Sequence, residues 1–300
     1  MPAALRMALA RRPHTAAILD RRQPPPRGLD IDFVEVNPIN QAFRRMVRDL
    51  EFDICEMAVV THYLARAHGF PVSAIPVFVS RHLPTAAVEY NAGSGISGPA
   101  DLAGTRVGSR SYTMTTAVWA RGMLARQFGL DTAAVTWVVS DIEHVPGLSL
   151  PANVERVPGA DLRTMLRGGE LAAGIGLAAA SGTVRPLWAD TAAVDESWLA
   201  RAGAVPVNHT VVIREDLLRG APGLAAEIFR WFSAAADLGA QSPADARSPA
   251  DQPRDPGPPG GYGLTAGNRA CLELLLELTR EQLPGERGLP RSVDDAFLDL

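Results

Sequence analysis

Side chains able to carry a proton or hold an anion fall into a few short stretches. Arg81-His82 follows the apolar run Ile75-Pro76-Val77-Phe78-Val79. An arginine there offers a planar fork that matches a carboxylate in two bonds, with a surface ion pair as its ordinary alternative. His209 stands between Asn208 and Thr210 at the head of the run Val211-Val212-Ile213. An imidazole titrates near neutral pH and serves as acid or base; a structural bond to backbone is the alternative. Ser109-Arg110-Ser111-Tyr112-Thr113-Met114-Thr115-Thr116 lies between a strand and a long helical run. A helix N-terminus attracts anions. Ser111, Tyr112, Thr113, Thr115 and Thr116 supply more hydroxyls than one N-cap uses. Glu56 ends a short strand, where it either faces a site or caps the next helix. His14 follows the first strand beside Thr15, itself a helix-capping residue. His62 and His68 read as helix-surface residues, and His144 as part of a variable loop.

Several chemistries lack their motifs. No His-x-x-x-His, Glu-x-x-His or Cys-x-x-Cys pair occurs, so no metal is expected from local motifs, although distant ligands could converge. Gly168-Gly169-Glu170 and Gly174-Ile175-Gly176 lack the third glycine of a dinucleotide loop, and no Gly-x-Ser-x-Gly elbow is present. All 29 basic residues are arginine. Without lysine there is neither a Schiff-base lysine nor a P-loop lysine. No organic cofactor is expected. Cys55 and Cys271 sit in apolar surroundings and read as buried small hydrophobes.

The elements that must position these residues alternate between strand and helix, which argues for α/β architecture. Strands are expected at 5–9, 31–36, 52–57, 75–79, 86–90, 105–108, 135–139, 173–177 and 209–213. Helices are expected at 14–19, 42–50, 59–67, 98–102, 116–128, 161–167, 222–238 and 268–282. Residues 240–263, rich in Pro, Ala, Asp, Gly and Ser, cannot bury a core and read as a flexible surface loop. The chain has 300 residues, 47% of them hydrophobic and 21% charged, with a formal net charge of −4. This is the composition of a globular protein of one or two domains. The charge argues against nucleic acid as a partner. No run reaches the ~20 apolar residues of a membrane span, and Arg6, Arg11 and Arg12 interrupt any leader-like stretch, so a cytoplasmic chain is expected.

Five stretches together resemble the 4,5-dihydroxyphthalate decarboxylase family. They are Phe52-Asp53-Ile54-Cys55-Glu56-Met57; Ile75-Pro76-Val77-Phe78 with Arg81; Asp101-Leu102-Ala103-Gly104 with Val107-Gly108, Tyr112, Thr116, Trp119, Arg121-Gly122 and Leu124; residues 206–214, from Pro206 through Asn208-His209-Thr210 to Arg214; and Tyr262-Gly263-Leu264 with Asn268-Arg269 and Glu281-Gln282. The sequence departs from the family at Ala58, where a serine is usual, and at Ala172, where an aspartate is usual. The resemblance implies a type 2 periplasmic-binding-protein-like fold, with two lobes, each a mixed sheet flanked by helices, and a cleft between them. Residues 1–86 with 208–300 would form the first lobe and 87–207 the second, with crossings at 86–90 and 209–214. His14 would then follow a strand that faces the cleft, and His209 would lie at a lobe junction.

The function implied is decarboxylation of a hydroxylated aromatic acid such as 4,5-dihydroxyphthalate. His209 would deliver the proton, with His14 or His82 as substitutes. Arg81, Glu56, Thr210 and the hydroxyl-rich helix start would hold the substrate, a small carboxylate; a homo-oligomer is compatible with this reading. A non-catalytic solute-binding protein with the same cleft is the alternative. A different biosynthetic reaction on this fold is another.

Overall fold

The computed structural model describes residues 4–179, 181–240 and 261–300. The first sheet has five strands in the order β2-β1-β3-β11-β4. They are β1 (Leu5–Ala8), β2 (Ile31–Phe33), β3 (Ile54–Ala58), β4 (Val72–Arg81) and β11 (Val207–Arg214). The second has six in the order β10-β5-β9-β6-β7-β8. These are β5 (Val88–Asn91), β6 (Arg106–Ser109), β7 (Thr136–Val139), β8 (Val154–Arg156), β9 (Ala173–Ile175) and β10 (Val184–Pro186). Both sheets are mixed. β1 pairs parallel with β2 and β3, while β11 runs antiparallel to β3 and β4. In the second sheet β6, β7, β8 and β9 form the parallel part, and β5 and β10 the antiparallel edge. The two lobes are therefore α/β units, as the element order leads one to expect.

Helices cover the sheets. α1 (Pro13–Leu19) and α8 (Leu224–Ala240) pack together on the first, and α2 (Asn40–Asp49) packs against β3. α3 (Val59–Ala67) begins directly where β3 ends. α4 (Thr115–Phe128) follows β6 in the second lobe and ends at Gly129, whose φ of +68° suits glycine. α5 (Leu162–Gly168) starts at Asp161, whose carboxylate accepts from the amides of Arg163 and Thr164. α6 (Ala192–Ala202) and α7 (Glu215–Gly220) complete this region of the chain. α9 (Ala266–Gln282) touches α3, α4 and α6, so one helix packs against both lobes; α10 (Val293–Ala296) closes the chain.

Several expectations need correction. The strand expected at 86–90 starts at Val88, because Pro84–Ala87 coil into a 3-10 turn. The strand expected at 173–177 stops at Ile175, where Gly176 turns with φ +66°. The strand at 75–79 is extended to Val72–Arg81. β8, β10, α6, α7 and α10 were not expected: the strands are three residues each, and α6 buries only Trp198 and Ala202. His62 is no surface residue; it is wholly buried, and its Nε2 donates to the carbonyl of Ala296 at 2.7 Å. Cys55 and Cys271 are buried free thiols. Most of the loop expected at 240–263 lies outside the described residues. Among those residues no helix is long and apolar enough to cross a membrane.

Candidate functional site

A cavity of about 760 Å³ lies between the two sheets. The first lobe supplies residues 9–12, the turn 34–40, Phe43, Ala58, residues 80–82 and His209; the second supplies Glu89, Arg110, residues 114–116, His144, Gly176 and Ala178. Arg11, Arg12, Arg81 and Arg110 border it, against Glu35 and Glu89. Arg12 and Arg11 are paired with Glu56 and Asp20, so the arginines that remain at the wall to meet an anionic ligand are Arg81 and Arg110.

Strand register places the central pair. His209 on β11 lies opposite Ala58 on β3, and Glu56 is two residues further along β3 on the same face. Its Oε1 is 2.6 Å from Nδ1 of His209. The pairing of β11 with β4 shifts register on both sides of His209, and such irregularities re-aim side chains near functional sites. Behind the pair, Arg12 grips Glu56 with both terminal nitrogens, at 2.9 and 2.7 Å, and the amide of Ala10 donates to Oε2 at 3.0 Å. Arg12 reaches there because Pro13 starts α1 immediately after it, while its own amide donates to Thr15 Oγ1. Thr15 is thus the helix-capping residue.

Glu56 is completely buried, which by itself would raise its pKa. The Arg12 guanidinium and the His209 ring overcome that and hold the carboxyl below its ordinary range. Burial lowers the pKa of His209, with the Glu56 carboxylate opposing. The free protein therefore carries neutral His209, with Nδ1–H donating to Glu56 and Nε2 left as the proton-accepting nitrogen. The ring edge of Phe43 packs at 5.0 Å between centroids and fixes the imidazole plane.

The other expected residues are distributed differently. Arg81 borders the cavity, but its terminal nitrogens donate to Val205 O and Asn268 Oδ1, at 2.9 and 2.7 Å. It clamps β4 to α9. His82 borders the cavity too. Its Nε2 donates to Thr116 Oγ1 at 2.9 Å, and Thr116 donates to Asn208 Oδ1 at 3.1 Å. Burial, then the charges of His209 and Arg12, push His82 down to about 3. Thr115 borders the cavity, and its hydroxyl accepts from the amide of Val60. His14 does not reach the cavity: it bonds to the carbonyl of Val79, and burial lowers it to about 4. Thr210 turns away and donates to Ile75 O.

Ser111, Tyr112 and Thr113 are not open to a ligand. The amides of Tyr112 and Thr113 and the Thr113 hydroxyl all donate to the carboxylate of Glu143. The anion attracted by this turn is the protein's own. Ser111 is buried beneath it, with its carbonyl accepting from Ser109.

Three residues at the site were not singled out by sequence reasoning. Arg12 meets Glu56 across 44 positions, a separation no local pattern reveals. His144, read as a loop residue, borders the cavity; Thr61 Oγ1 contacts its Nδ1 at 2.9 Å, and burial lowers it to about 4. Arg110 lay inside the hydroxyl-rich stretch, where an arginine beside a candidate anion site was itself a signal. Of the two departures from the family, Ala58 faces the cavity opposite His209. Ala172 bonds through its backbone to Arg106 and Asn91, and does not border the cavity. Among the described residues no group of three metal-type ligands is close enough to hold an ion.

Two mixed sheets joined by crossing strands around one cavity define a type 2 periplasmic-binding-protein fold. The alkanesulfonate-binding protein SsuA of Xanthomonas axonopodis pv. citri, bound to MOPS, shares it with a TM-score of 0.57 at 16% identity over 96% of each chain. An Archaeoglobus fulgidus protein does so with a TM-score of 0.60 at 15% identity, over 93% of this chain and 97% of its own. Residues 26–149 match the family described as NMT1/THI5 like. The 4,5-dihydroxyphthalate decarboxylase of Comamonas testosteroni is 31% identical over 220 residues, 68% of this chain and 66% of its own length. That of Pseudomonas putida is 36% identical over 158 residues, 50% of this chain and 61% of its own. The chain belongs to the 4,5-dihydroxyphthalate decarboxylase family, and its matches span just under two thirds of these relatives' length.

Proposed function

We propose that the chain is a cofactor-independent decarboxylase of a hydroxylated aromatic carboxylic acid, with His209 as the proton donor. The observation that carries this is His209, half-buried at an arginine-lined cavity between two lobes and backed by the wholly buried carboxylate of Glu56. A binding protein needs the cations; it does not need an imidazole backed by a buried carboxylate.

Decarboxylation leaves an electron pair that needs a sink. A ring hydroxyl para to the departing carboxylate provides it. Electrons from the hydroxyl oxygen, which keeps its proton, flow through the ring to the carbon that bears the carboxylate, and that carbon takes a proton from Nε2 of the His209 imidazolium, which regains it from solvent after turnover. The carbon–carboxylate bond then breaks, its electron pair returns to the oxygen, the ring regains aromaticity and CO2 leaves. Glu56 stabilises the imidazolium that exists before transfer, and a bound anionic substrate favours it further. General acid catalysis of this kind contributes ~10²–10⁴-fold.

The same reading takes residues 1–86 with 208–300 as one lobe and 87–207 as the other, which the strand membership of the two sheets supports. The test is to incubate the purified protein with hydroxylated aromatic acids, 4,5-dihydroxyphthalate among them, and measure released CO2. Release from one of them is the expected result. Tight binding without release from any of them favours the solute-binding alternative.

A further inference from the structure

We propose that Arg110 holds the acid group that stays on the product, not the one that leaves as CO2. This rests on the decarboxylase reading and adds to it the residue that anchors the substrate's second acid group. Of the four arginines at the cavity, three have partners within the protein. Arg12 is paired with Glu56, Arg11 with Asp20, and Arg81 with Asn268 and the Val205 carbonyl. Arg110 is half-buried, and among the described residues no carboxylate comes within ion-pair distance of it. Its guanidinium touches Met114 Sδ at 3.5 Å, and the charge of Asp141 acts on it from further away. A cation set against a thioether in a cavity is costly until an anion joins it. The backbone beside it is fixed, since the Arg110 carbonyl accepts from the Asp141 amide at 2.7 Å.

The assignment to the staying group follows from charge flow. A leaving carboxylate loses its charge as CO2 forms. An arginine gripping it would stabilise the bound substrate more than the transition state and slow the reaction. A carboxylate that keeps its charge can be held equally well throughout. Arg110 also belongs to the second lobe, whereas His209 belongs to the first. The proton donor and this anchor thus meet different parts of one ring.

The test is isothermal titration with phthalate, which lacks the hydroxyl needed for turnover, and with catechol, which lacks an acid group. Arg110→Gln should weaken phthalate binding at least tenfold and leave catechol binding unchanged, and Arg110→Lys should recover part of the loss. With a turned-over substrate, Arg110→Gln should raise KM at least tenfold and change kcat by no more than a few-fold. Equal phthalate binding in wild type and Arg110→Gln overturns the proposal while leaving the decarboxylase reading intact. A kcat loss with unchanged KM also overturns it. Absence of CO2 release by the wild type would sink the decarboxylase reading instead. Wild type that binds no phthalate removes the anchor whatever its turnover.

Discussion

The carboxylate of Glu56 holds Nδ1 of His209 at 2.6 Å from a diagonal position across two antiparallel strands. That contact fixes which nitrogen is left to work in the cavity. His209→Asn keeps a polar side chain but cannot donate an acidic proton. Turnover should fall by ~10² or more, while binding of phthalate stays within a few-fold. The pH profile carries a sign. In the free protein burial lowers the pKa of His209, so kcat/KM should decline as pH rises through a value below the ordinary ~6.5. The matching limb of kcat should lie higher, because a bound anion favours the imidazolium. Unchanged turnover in His209→Asn would reject the assignment.

Glu56 also neutralises Arg12. Glu56→Gln removes the negative member of a buried pair and leaves the Arg12 guanidinium without its carboxylate. Breaking such a pair costs about 3–5 kcal/mol, readable as a lower urea midpoint. Adding Arg12→Met removes the stranded charge and should restore part of the stability. Activity should stay low in the double variant, since His209 still lacks its carboxylate. Full stability in Glu56→Gln alone would show that the pair contributes little to folding.

The elements were legible because they are written in local pattern. Apolar alternation marked β2, short apolar runs marked β4 and β11, and helical spacing marked α2, while the two-lobed arrangement came from the family resemblance. The site was less legible. His209 and Glu56 could be named separately, but their contact depends on the register of β11 against β3, which neither stretch contains. The hydroxyls of Ser111, Tyr112 and Thr113 pointed to an anion, and there is one; it is Glu143, some 30 positions away. Arg81 has the right chemistry for a carboxylate and spends it on Asn268. In each case the residue type was informative and the partner, set by tertiary folding, was not.

Stability should fall in mild acid. Burial lowers His62 to about 4, and the same holds for His14 and His144. In the unfolded chain a histidine titrates near ~6.5. Between these values the unfolded state binds more protons, so stability rises with pH through the window and is lost as pH falls from ~6.5 toward 4. For His62 alone the loss is roughly 2 kcal/mol at pH 5. His62→Gln keeps a donor for the Ala296 carbonyl but cannot titrate. Its urea midpoint should therefore drop less than that of the wild type between pH 7.5 and 5. Identical drops would assign the effect to other groups.

Gly239 tests how tightly α8 is set against α1. A Cβ there would lie 2.3 Å from the carbonyl oxygen of Pro13, 2.9 Å from its carbon and 3.0 Å from Cα of His14. These are backbone atoms and cannot rotate aside. Gly239→Ala must push the helices apart, at a cost of ~1–3 kcal/mol. Gly168, the last residue of α5, supplies the control: it has open space around its Cβ position and no positive φ. Gly168→Ala should be neutral or stabilising by up to ~1 kcal/mol. The displacement also bears on the site, because Pro13 follows Arg12 directly and Arg12 holds Glu56. Gly239→Ala should thus lower turnover as well as the melting temperature, whereas Gly168→Ala should change neither by much. A Gly239→Ala variant with wild-type stability would mean that α8 slides freely along α1, and that the approach of the two helices sets nothing at the cavity.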